Sequence, residues 1–409
     1  MFERAFALCA RDPSLVALHR KGALVLATRG EVLVCDDDPS SALAAWARVS
    51  DELASRGSAR APFAFGWLGY DAARGDDPSS ARDARPRGDL APLAYLQRIH
   101  SWIAIADDGS VRDSGGESPT SLTAMYQRCD GALERIEAHE IKCATDRERH
   151  RAELASVREA ILDGEVYLVN VARTLHARGG MTDAQIAARV ARSRAPYSAL
   201  LRGPSCTIGA MSMERALAWN RSTDALETRP IKGTRPRDRD PVRDRALADE
   251  LYASEKERAE NVMAVDVHRN DLGRVALVGS VAVDALCAVE PHAFVHHLVS
   301  TVRATARRGV GAREVLEAML PVGSVTGAPK RAAMATIASL EPEKRGLYTG
   351  AYGVLDSDGS LDLAVAIRTI VVDSQGAHYG SGGGIVIDSD PDHEWAELAW
   401  KERALASPE

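Results

Sequence analysis

One stretch is the most informative about the fold: Gly380-Ser-Gly-Gly-Gly384, which runs into Ile385-Val-Ile-Asp388. A dinucleotide-binding fold also has closely spaced glycines, but there the glycines open a helix. Here a β-branched run follows, which favours a strand. Glycine lets the backbone approach a ligand closely and presents unencumbered N–H donors to an anion. The stretch therefore predicts a carboxylate-binding segment beside a strand, with a tight turn as the structural alternative.

A second glycine-rich segment is Gly323-Ser-Val-Thr-Gly-Ala-Pro-Lys330. A phosphate-binding loop needs Gly-Lys-Ser/Thr in succession, whereas Pro329 here separates Ala328 from the lysine. The segment is therefore not a nucleotide loop. It shares with the first stretch only the capacity to bring backbone close to an anion.

Outward from these segments, the chain from about residue 146 alternates helical and extended patterns. Apolar residues at Leu154, Val157 and Ile161 predict a helix from about Asp146 to Asp163. Further helices are predicted at 182–192, 243–266, 312–320 and 330–340, and strands at 166–171, 275–283, 364–372 and 385–387. No βαβ unit of about 30 residues recurs. The pattern favours an α+β or α/β fold without a doubly wound sheet.

The first third of the chain reads as a sheet-rich region. Short β-type runs begin at Ala23, Glu31 and Phe63, and two segments rich in turn-forming residues, 75–88 and 107–121, are predicted linkers. We therefore distinguish an N-terminal sheet-rich region, 1–144, from a region 145–409 that carries the motifs described below. Both are expected to belong to the same globular unit.

Composition excludes several classes of function. The 409 residues contain no apolar stretch of about 18 residues, and the N-terminus does not resemble a secretory signal, so we expect a cytoplasmic protein without a membrane partner. Net charge is -7 with arginines and aspartates interleaved, which argues against a nucleic-acid partner. The six cysteines form no C-x-x-C pair, so neither a zinc site nor a disulfide framework is expected.

Two predicted helices carry carboxylates that are suited to a cleft. Glu260 lies where a polar helical segment becomes apolar, and Glu394, Glu397 and Lys401 can share a helix face because they are 3 and 4 residues apart. A solvated, salt-bridged face is the structural alternative. If Glu260 and Glu397 face one cleft, they form an all-oxygen pair suited to Mg²⁺.

Seven motifs occur in order along the chain. They are Glu227 to Arg237 with Arg-Pro-Ile-Lys-Gly-Thr, Ala259 to Arg274 with Val-Asp-Val-His-Arg-Asn-Asp-Leu-Gly-Arg, Pro291 to Ser300, Gly323 to Lys330, Gly346 to Gly353, Ala366 to Thr369, and Gly380 to Lys401. This set resembles the chorismate-utilising enzymes, the family of anthranilate synthase component I, aminodeoxychorismate synthase component I, isochorismate synthase and salicylate synthase. The resemblance covers about residues 145–403. It implies an α+β fold in which two large sheets pack as a sandwich flanked by helices, like that of anthranilate synthase component I.

The resemblance also implies a ligand set. Glu260 and Glu397 would ligate Mg²⁺, which in turn holds the ring carboxylate of chorismate. Fixed positive charge and backbone donors suit such a dianionic substrate. Substrate contacts are implied for Thr234, Tyr348, Arg368, Lys401 and the backbone of Gly382, Gly383 and Gly384.

Glu214 and His297 match the two acid–base residues of the family. Glu214 lies in Met211-Ser-Met-Glu-Arg215, where relatives often have Ser-Pro-Glu-Arg, and resembles the general acid. A carboxyl that expels the ring C4 hydroxyl must stay protonated, and partial desolvation would favour this by raising its pKa. His297 matches the histidine that is implicated in pyruvate elimination in anthranilate producers.

Lys232 distinguishes the members of the family. Anthranilate, isochorismate and salicylate synthases typically have Ala at this position, whereas aminodeoxychorismate synthases resemble this chain in having Lys. A lysine amine activated by desolvation and nearby cations can attack ring C2 as the C4 hydroxyl leaves, and ammonia then adds at C4. The resemblance thus predicts conversion of chorismate and ammonia to 4-amino-4-deoxychorismate, the precursor of 4-aminobenzoate and folate.

Leu168 departs from the family pattern, because ammonia-using relatives commonly have Gln there and water-using relatives have Lys. Leucine cannot activate water, which disfavours isochorismate as product. Two alternatives stay open: an anthranilate synthase component I, and a chorismate-binding paralogue without turnover. The chain contains no amidotransferase cysteine elbow. Ammonia is therefore expected from solution or from a separate glutamine amidotransferase subunit.

Overall fold

The architecture is that of a computed structural model, which describes residues 1–20, 22–39, 41–57, 61–72, 85–114, 122–134, 141–143, 145–177 and 180–406. The predicted linkers at 75–88 and 107–121 lie partly outside these ranges. None of the helices in the described ranges combines the length and apolar composition that crossing a bilayer requires.

Several helices begin at residues whose side chains accept the free N–H groups of the first turn. Asp146 accepts the N–H of Arg149, and Thr182 and Gln185 form a reciprocal capping box. The helices are α1 (Phe2–Arg11), α2 (Ala42–Ser55), α3 (Leu122–Arg128), α4 (Arg147–Leu162), α5 (Asp183–Ser193), α6 (Pro241–Ala253), α7 (Glu255–Gly273), α8 (Ala312–Met319), α9 (Lys330–Leu340) and α10 (Pro391–Ala406), with a 3-10 turn at Gly323–Val325.

The strands are mostly short, and many are almost continuously buried, as expected where a sheet is covered on both faces, whereas Ile231–Pro236 and Ala282–Pro291 are largely half-buried or exposed. They are β1 (Leu15–Arg20), β2 (Ala23–Asp36), β3 (Pro62–Leu68), β4 (Ala94–Ala106), β5 (Val111–Asp113), β6 (Ile141–Cys143), β7 (Leu168–Ala177), β8 (Tyr197–Arg202), β9 (Thr207–Ser212), β10 (Arg215–Asn220), β11 (Ala225–Arg229), β12 (Ile231–Pro236), β13 (Ala282–Pro291), β14 (Val295–Thr305), β15 (Gly327–Ala328), β16 (Ala351–Asp356), β17 (Leu361–Val365), β18 (Thr369–Asp373) and β19 (Gly376–Ile385).

Hydrogen bonds join these strands into one antiparallel network. The spatial path runs β7, β19, β18, β9, β8, β1, β2, β4, β3, β16, β17, β10, β11, β14, β13. The long strands β2 and β4 pair throughout but carry three bulges between Ala27 and Val34. Bulges bend a strand and increase its twist. The β2–β4 ribbon therefore connects two halves of the network, one on each side.

Buried apolar side chains from both halves meet in one layer, which is the interior of the predicted sandwich. Its members include Val16, Leu18, Ala199 and Ile208 from the first half, and Phe65, Trp67, Tyr352 and Val354 from the second. Helices α1, α3 and α5 cover the outer face of the first half, and α2, α7 and α8 cover that of the second. This is the α+β, helix-flanked two-sheet sandwich that the sequence predicted.

Strands of residues 1–144 pair directly with strands of residues 145–409. β1 pairs with β8, β3 with β16, and β6 with β7. The backbone hydrogen bonds of the N-terminal region are thus part of the same ladder system that carries the motifs.

Several predicted boundaries are wrong. The helix predicted at 243–266 is two helices, α6 and α7, because Ser254 is extended and its side chain accepts the N–H of Glu257. The strand predicted at 275–283 begins only at Ala282. The strand predicted at 364–372 is split into β17 and β18, because Arg368 has φ 50° and breaks the extended run.

The glycines at 380–384 lie inside β19, so the turn considered above is not present and the strand expected at 385–387 ends at Ile385. Glycine is a poor strand former because it loses much conformational entropy. Pairing overrides this, since β7 matches every residue from Ala377 to Ile385.

Candidate active site

One cavity of about 410 Å³ opens where β12, β14, β19, α7 and α10 meet. It is lined by all twelve residues for which the family resemblance implies a role: Glu214, Lys232, Thr234, Glu260, His297, Tyr348, Arg368, Gly382, Gly383, Gly384, Glu397 and Lys401. The tertiary structure therefore brings the predicted residues into one place. Their individual roles stay predictions.

Glycines form one wall of the cavity because other side chains lie directly against the strand. A Cβ on Gly380 would lie 2.1 Å from Cγ of Tyr348, and a Cβ on Gly384 would lie 2.6 Å from Nζ of Lys232. Both separations are shorter than van der Waals contact. Since residues two apart on a strand face the same side, Gly380, Gly382 and Gly384 together leave a strip of bare backbone under the tyrosine and the lysine.

Strand pairing decides which glycine N–H groups are free. In β7, the N–H groups of Asn170 and Ala172 bond to groups outside β19. Their cross-strand partners, Gly384 and Gly382, therefore belong to non-hydrogen-bonded pairs, in which N–H groups point away from the neighbouring strand. Gly383 directs its N–H into the ladder instead. Of the three glycine N–H groups that the sequence suggested as ligand donors, those of Gly382 and Gly384 are available and that of Gly383 is not.

Lys232 projects from β12 and its Nζ reaches the bare backbone strip at Gly384. Its positive charge acts on three carboxylates, those of Glu214, Glu260 and Glu397. The cavity thus surrounds the amine with both acids and cations, the latter including Lys256, Arg368 and Lys401.

Glu214 lies in the short connection between β9 and β10 and is only 3% exposed. Burial raises the pKa of its carboxyl to about 7, although a hydrogen bond from Ser324 and the charge of Lys232 oppose the shift. Ser324 donates that bond from Oγ to Oε1. At neutral pH the carboxyl is therefore about half protonated, which suits a group that must donate a proton.

His297 faces Thr234 across the paired strands β12 and β14. Its Nδ1 lies 3.0 Å from Thr234 Oγ1 and 3.5 Å from the carbonyl oxygen of Gly233. Burial, together with the charges of His292 and Arg368, lowers the pKa of His297 to about 3. The ring is neutral at pH 7, so it can orient a ligand through hydrogen bonds but is a weak base.

Arg368 and Tyr348 border the same end of the cavity. Arg368 has φ 50°, a conformation that costs a non-glycine residue about 1–2 kcal/mol, and its guanidinium lies 5.3 Å from the ring centroid of Trp400. The Tyr348 hydroxyl lies 2.9 Å from the Cβ position of Gly382. Such local strain is typical of positions that are held for function.

Glu260 on α7 and Glu397 on α10 supply the oxygen donors of the predicted Mg²⁺ site. Burial raises the pKa of Glu260, partly opposed by Lys232. The side chain of Glu397 is 53% exposed, and the partial desolvation of its carboxyl is outweighed by the charges of Lys401, with Nζ at 2.6 Å, Lys232 and Lys256, which lower the pKa. Lys401 Nζ also donates to the carbonyl oxygen of Gly382 at 2.7 Å.

The chemistry of this donor set fits Mg²⁺. Within the described ranges, no group of three or more His, Cys, Asp or Glu side chains is arranged to hold a metal ion. Two carboxylates without nitrogen or sulfur donors suit an ion that keeps several waters and also takes substrate oxygens. Glu260 and Glu397 are therefore the residues of this chain that would hold it.

Several polar residues line the cavity without a role assigned from the sequence, among them Asn170, Lys256, Ser324 and Glu394. Asn170 is 6% exposed, and its Oδ1 has no hydrogen-bond partner among the described residues. That oxygen lies 2.9 Å from the Cβ position of Gly382. The alternation of β7 was an available signal, because residues 168 and 170 face the same side of one strand.

The chain belongs to the chorismate binding enzymes: the family model with that description matches residues 10–407. This match covers nearly the whole length, including the sheet-rich N-terminal region. The protein is therefore a chorismate-utilising enzyme by family, as the motifs indicated.

Relatives with different names are similar to comparable degrees. Aminodeoxychorismate synthase component 1 of Bacillus subtilis is 32% identical over 428 residues, covering 98% of this chain and 88% of the relative. Anthranilate synthase component 1 1 of Haloarcula marismortui is 35% identical over 388 residues, covering 88% and 78%. Aminodeoxychorismate synthase component 1 of Escherichia coli is 42% identical over 252 residues, 61% of this chain and about half (55%) of the relative.

Solved structures confirm the predicted fold. Anthranilate synthase component I from Streptococcus pneumoniae superposes with a TM-score of 0.72 at 26% identity, covering 96% of this chain and 90% of that one. The isochorismate synthase MenF from Escherichia coli gives 0.72 at 18% identity, covering 98% and 90%. The same fold thus occurs in two enzymes named for different products, anthranilate and isochorismate, so the fold does not select the reaction.

Proposed function

We propose that this chain is an aminodeoxychorismate synthase component I, which converts chorismate and ammonia to 4-amino-4-deoxychorismate. The observation that carries the proposal is the position of Lys232, whose Nζ lies inside the cavity against Gly384. An amine held in a partly enclosed site beside an acid of pKa about 7 is placed to act as a nucleophile.

In the proposed reaction, the unprotonated amine of Lys232 bonds to ring C2 while the two conjugated ring double bonds shift and the C4–oxygen bond breaks. Glu214 gives its proton to that oxygen, which leaves as water. Ammonia then bonds to C4, the two double bonds shift back, the bond between C2 and Lys232 breaks, and the proton that the new C4 nitrogen loses returns to Glu214. Over both steps a hydroxyl is exchanged for an amino group, one water is released, and the enolpyruvyl group is retained.

The remaining residues bind and orient the substrate. Arg368 and Lys401 supply positive charge, Tyr348 a hydroxyl, and Gly382 and Gly384 free N–H groups for its carboxylates. Mg²⁺ held by Glu260 and Glu397 would neutralise the ring carboxylate.

Two features favour amination over the other reactions of the family. Because His297 has a pKa of about 3, it provides little driving force for the proton abstraction that pyruvate elimination requires. Leu168 is 2% exposed, and its Cδ1 lies 3.5 Å from the Cβ position of Gly384, so an apolar group stands where a water-activating base would be needed. Both features support a product that keeps its enolpyruvyl group and gains nitrogen.

The direct test incubates the purified chain with chorismate, Mg²⁺ and an ammonium salt and separates the products by chromatography with mass detection. We expect 4-amino-4-deoxychorismate, and 4-aminobenzoate once a lyase is added. Anthranilate formed without a lyase would instead support the second candidate, anthranilate synthase component I, which the similarity to the Haloarcula marismortui protein favours. Binding of chorismate without any product would support a non-catalytic paralogue.

A second test addresses the nucleophile. Mixed with chorismate in the absence of ammonia, the protein should gain the mass of chorismate less one water, and peptide mapping should locate the addition at Lys232. The matched variant Lys232→Arg keeps the charge but should gain nothing. Product formation by Lys232→Arg at the wild-type rate would show that ammonia attacks the ring directly.

The supply of ammonia by a separate glutamine amidotransferase subunit is part of the proposal. The component 1 designation of the Bacillus subtilis and Escherichia coli relatives supports it. Adding such a subunit with glutamine should replace the ammonium salt in the assay. Use of the product for 4-aminobenzoate and folate, and a cytoplasmic location, stay predictions.

A further inference from the structure

A chain of hydrogen bonds, closed into a ring by the peptide bond between Glu214 and Arg215, contains the carboxyl of Glu214. Ser324 donates from Oγ to Glu214 Oε1, and its backbone N–H donates to Nε2 of His268 at 3.2 Å. His268 Nδ1 lies 2.9 Å from Thr228 Oγ1, and the Thr228 hydroxyl donates at 3.4 Å to the carbonyl of Arg215, the residue after Glu214. The four side chains of Glu214, Ser324, His268 and Thr228 belong to residues at most 4% exposed, so the ring is shielded from water.

The contacts decide the protonation of His268. A backbone N–H can only donate, so Nε2 must be the unprotonated nitrogen and the proton of a neutral ring lies on Nδ1. Burial, helped by the charge of Lys330, lowers the pKa of His268 to about 3, so the ring stays neutral through the physiological range. Nδ1 then donates to Thr228, which donates onward to Arg215. Each donor has one acceptor, so the direction of every one of these hydrogen bonds is fixed.

Gly323 explains how the 3-10 turn comes close enough to make these bonds. A Cβ on Gly323 would lie 2.5 Å from Cγ1 of Val267 and 3.2 Å from Cδ2 of His268. The turn therefore packs with its backbone directly on α7. Any side chain at this position would push Ser324 away from the histidine.

From this geometry we propose that His268 and Ser324 are positioning residues that orient the carboxyl of Glu214 for proton donation. The proposal rests on the proposed function, in which Glu214 is the general acid. His268 fixes the backbone of the turn. This places Ser324 Oγ where it donates one hydrogen bond to one oxygen of the Glu214 carboxyl. The proton that passes to the leaving group is then carried by the other oxygen, which Ser324 does not contact. The function proposed above uses neither residue.

The charged and polar groups that face this carboxyl are Ser324 Oγ from the turn, and the side chain of Lys232 and the N–H of Ile231 from β12. All three stabilise the ionised form and so oppose the effect of burial, which raises the pKa. Removing the Ser324 hydroxyl therefore raises the pKa of Glu214 further.

The test measures kcat/KM for 4-amino-4-deoxychorismate against pH. Because Glu214 must be protonated, activity is lost as pH rises through its pKa, and Ser324→Ala should move this alkaline limb upward by about one pH unit. His268→Leu should move the limb in the same direction. Since His268 acts through the contact that Ser324 makes, the double variant should shift the limb no further than Ser324→Ala alone. His268→Gln, which can still accept the N–H of Ser324, should restore the limb.

The control is Ser50→Ala, since Ser50 is also fully buried and donates one hydrogen bond, to the carbonyl of Gly359 at 2.9 Å, outside the cavity. Its limb should not move. The proposal is overturned if Ser324→Ala loses activity with the limb in place, or if the shifts of the single variants add. If His268→Leu does not fold, Ser324→Ala and His268→Gln decide. If the wild-type protein makes anthranilate, the proposed function fails, but the limb of that reaction tests the positioning pair in the same way.

Discussion

Replacing Gly384 by alanine is expected to impair catalysis without weakening the fold. The added methyl group would lie 2.6 Å from Lys232 Nζ, so the amine must retreat by about 1 Å to reach ordinary contact near 3.5 Å. The other neighbours, Leu168 Cδ1 at 3.5 Å and Glu260 Oε2 at 3.7 Å, already stand at ordinary distances. Gly384 does not have a positive φ, so alanine fits its backbone. We expect the free energy of unfolding to change by less than about 1 kcal/mol. Displacement of a reacting group by about 1 Å should lower kcat/KM about 100-fold.

Gly383→Ala is the matched control for this prediction. A methyl group there would meet only Glu394 Oε2 at 3.4 Å and Lys401 Nζ at 3.9 Å, so we expect kcat/KM to fall at most about threefold. Both variants would be assayed with saturating ammonium and a coupling lyase, and unfolded in urea. If Gly384→Ala retains kcat/KM within about threefold of wild type, or if both variants lose the same amount, the close approach of Lys232 to β19 is not what the reaction requires.

Three further predictions follow from the site. Activity should decline as pH rises through about 7, because the pKa of Glu214 is raised to that value and the acid form is the active one; Glu214→Gln should lower kcat at least about 100-fold and abolish this limb, and a limb that survives belongs to another group. Asn170→Ala should raise KM for chorismate about tenfold with little change in thermal stability, since Asn170 lines the cavity and its Oδ1 has no hydrogen-bond partner among the described residues; an unchanged KM would contradict a contact with substrate. Chelation of divalent cations should stop turnover and added Mg²⁺ should restore it, while Glu397→Gln should weaken Mg²⁺ binding measured by calorimetry in the presence of chorismate at least about tenfold; turnover that persists in chelator would exclude the metal role.

Elements with strong local signals were predicted well. The helix expected from Asp146 to Asp163 is α4 with Asp146 as its cap, and the helix expected at 330–340 is α9 without change. These succeed because apolar spacing and capping side chains act within one or two turns. The break at Ser254 was missed because helical propensity on both sides is continuous, and only the extended backbone of that serine separates α6 from α7.

Features that depend on contacts between residues far apart in the sequence could not be predicted in the same way. The glycines at 380–384 were predicted to lie beside a strand, as a carboxylate-binding segment or a tight turn, because their own propensity opposes a strand; β7 nevertheless pairs with them residue by residue. The same pairing makes the N–H of Gly383 unavailable to a ligand, which three adjacent glycines in the sequence do not reveal. Ser324 and His268 belong to two quoted motifs, but their link to Glu214 exists only after the 3-10 turn packs on α7.

By itself, the sequence determined the family and the chemical groups of the site: the lysine predicted to be the nucleophile, two helices that carry carboxylates, a histidine and a glycine-rich segment. These are properties of residue type and order, so they do not depend on the tertiary structure. Only the tertiary structure decided the pKa values of those groups. Burial sets the pKa of Glu214 near 7 and that of His297 near 3, because it is the surrounding chain that removes water from each side chain. It also decided that the amine of Lys232 meets bare backbone at Gly384, since that contact joins two strands far apart in the sequence and depends on their packing.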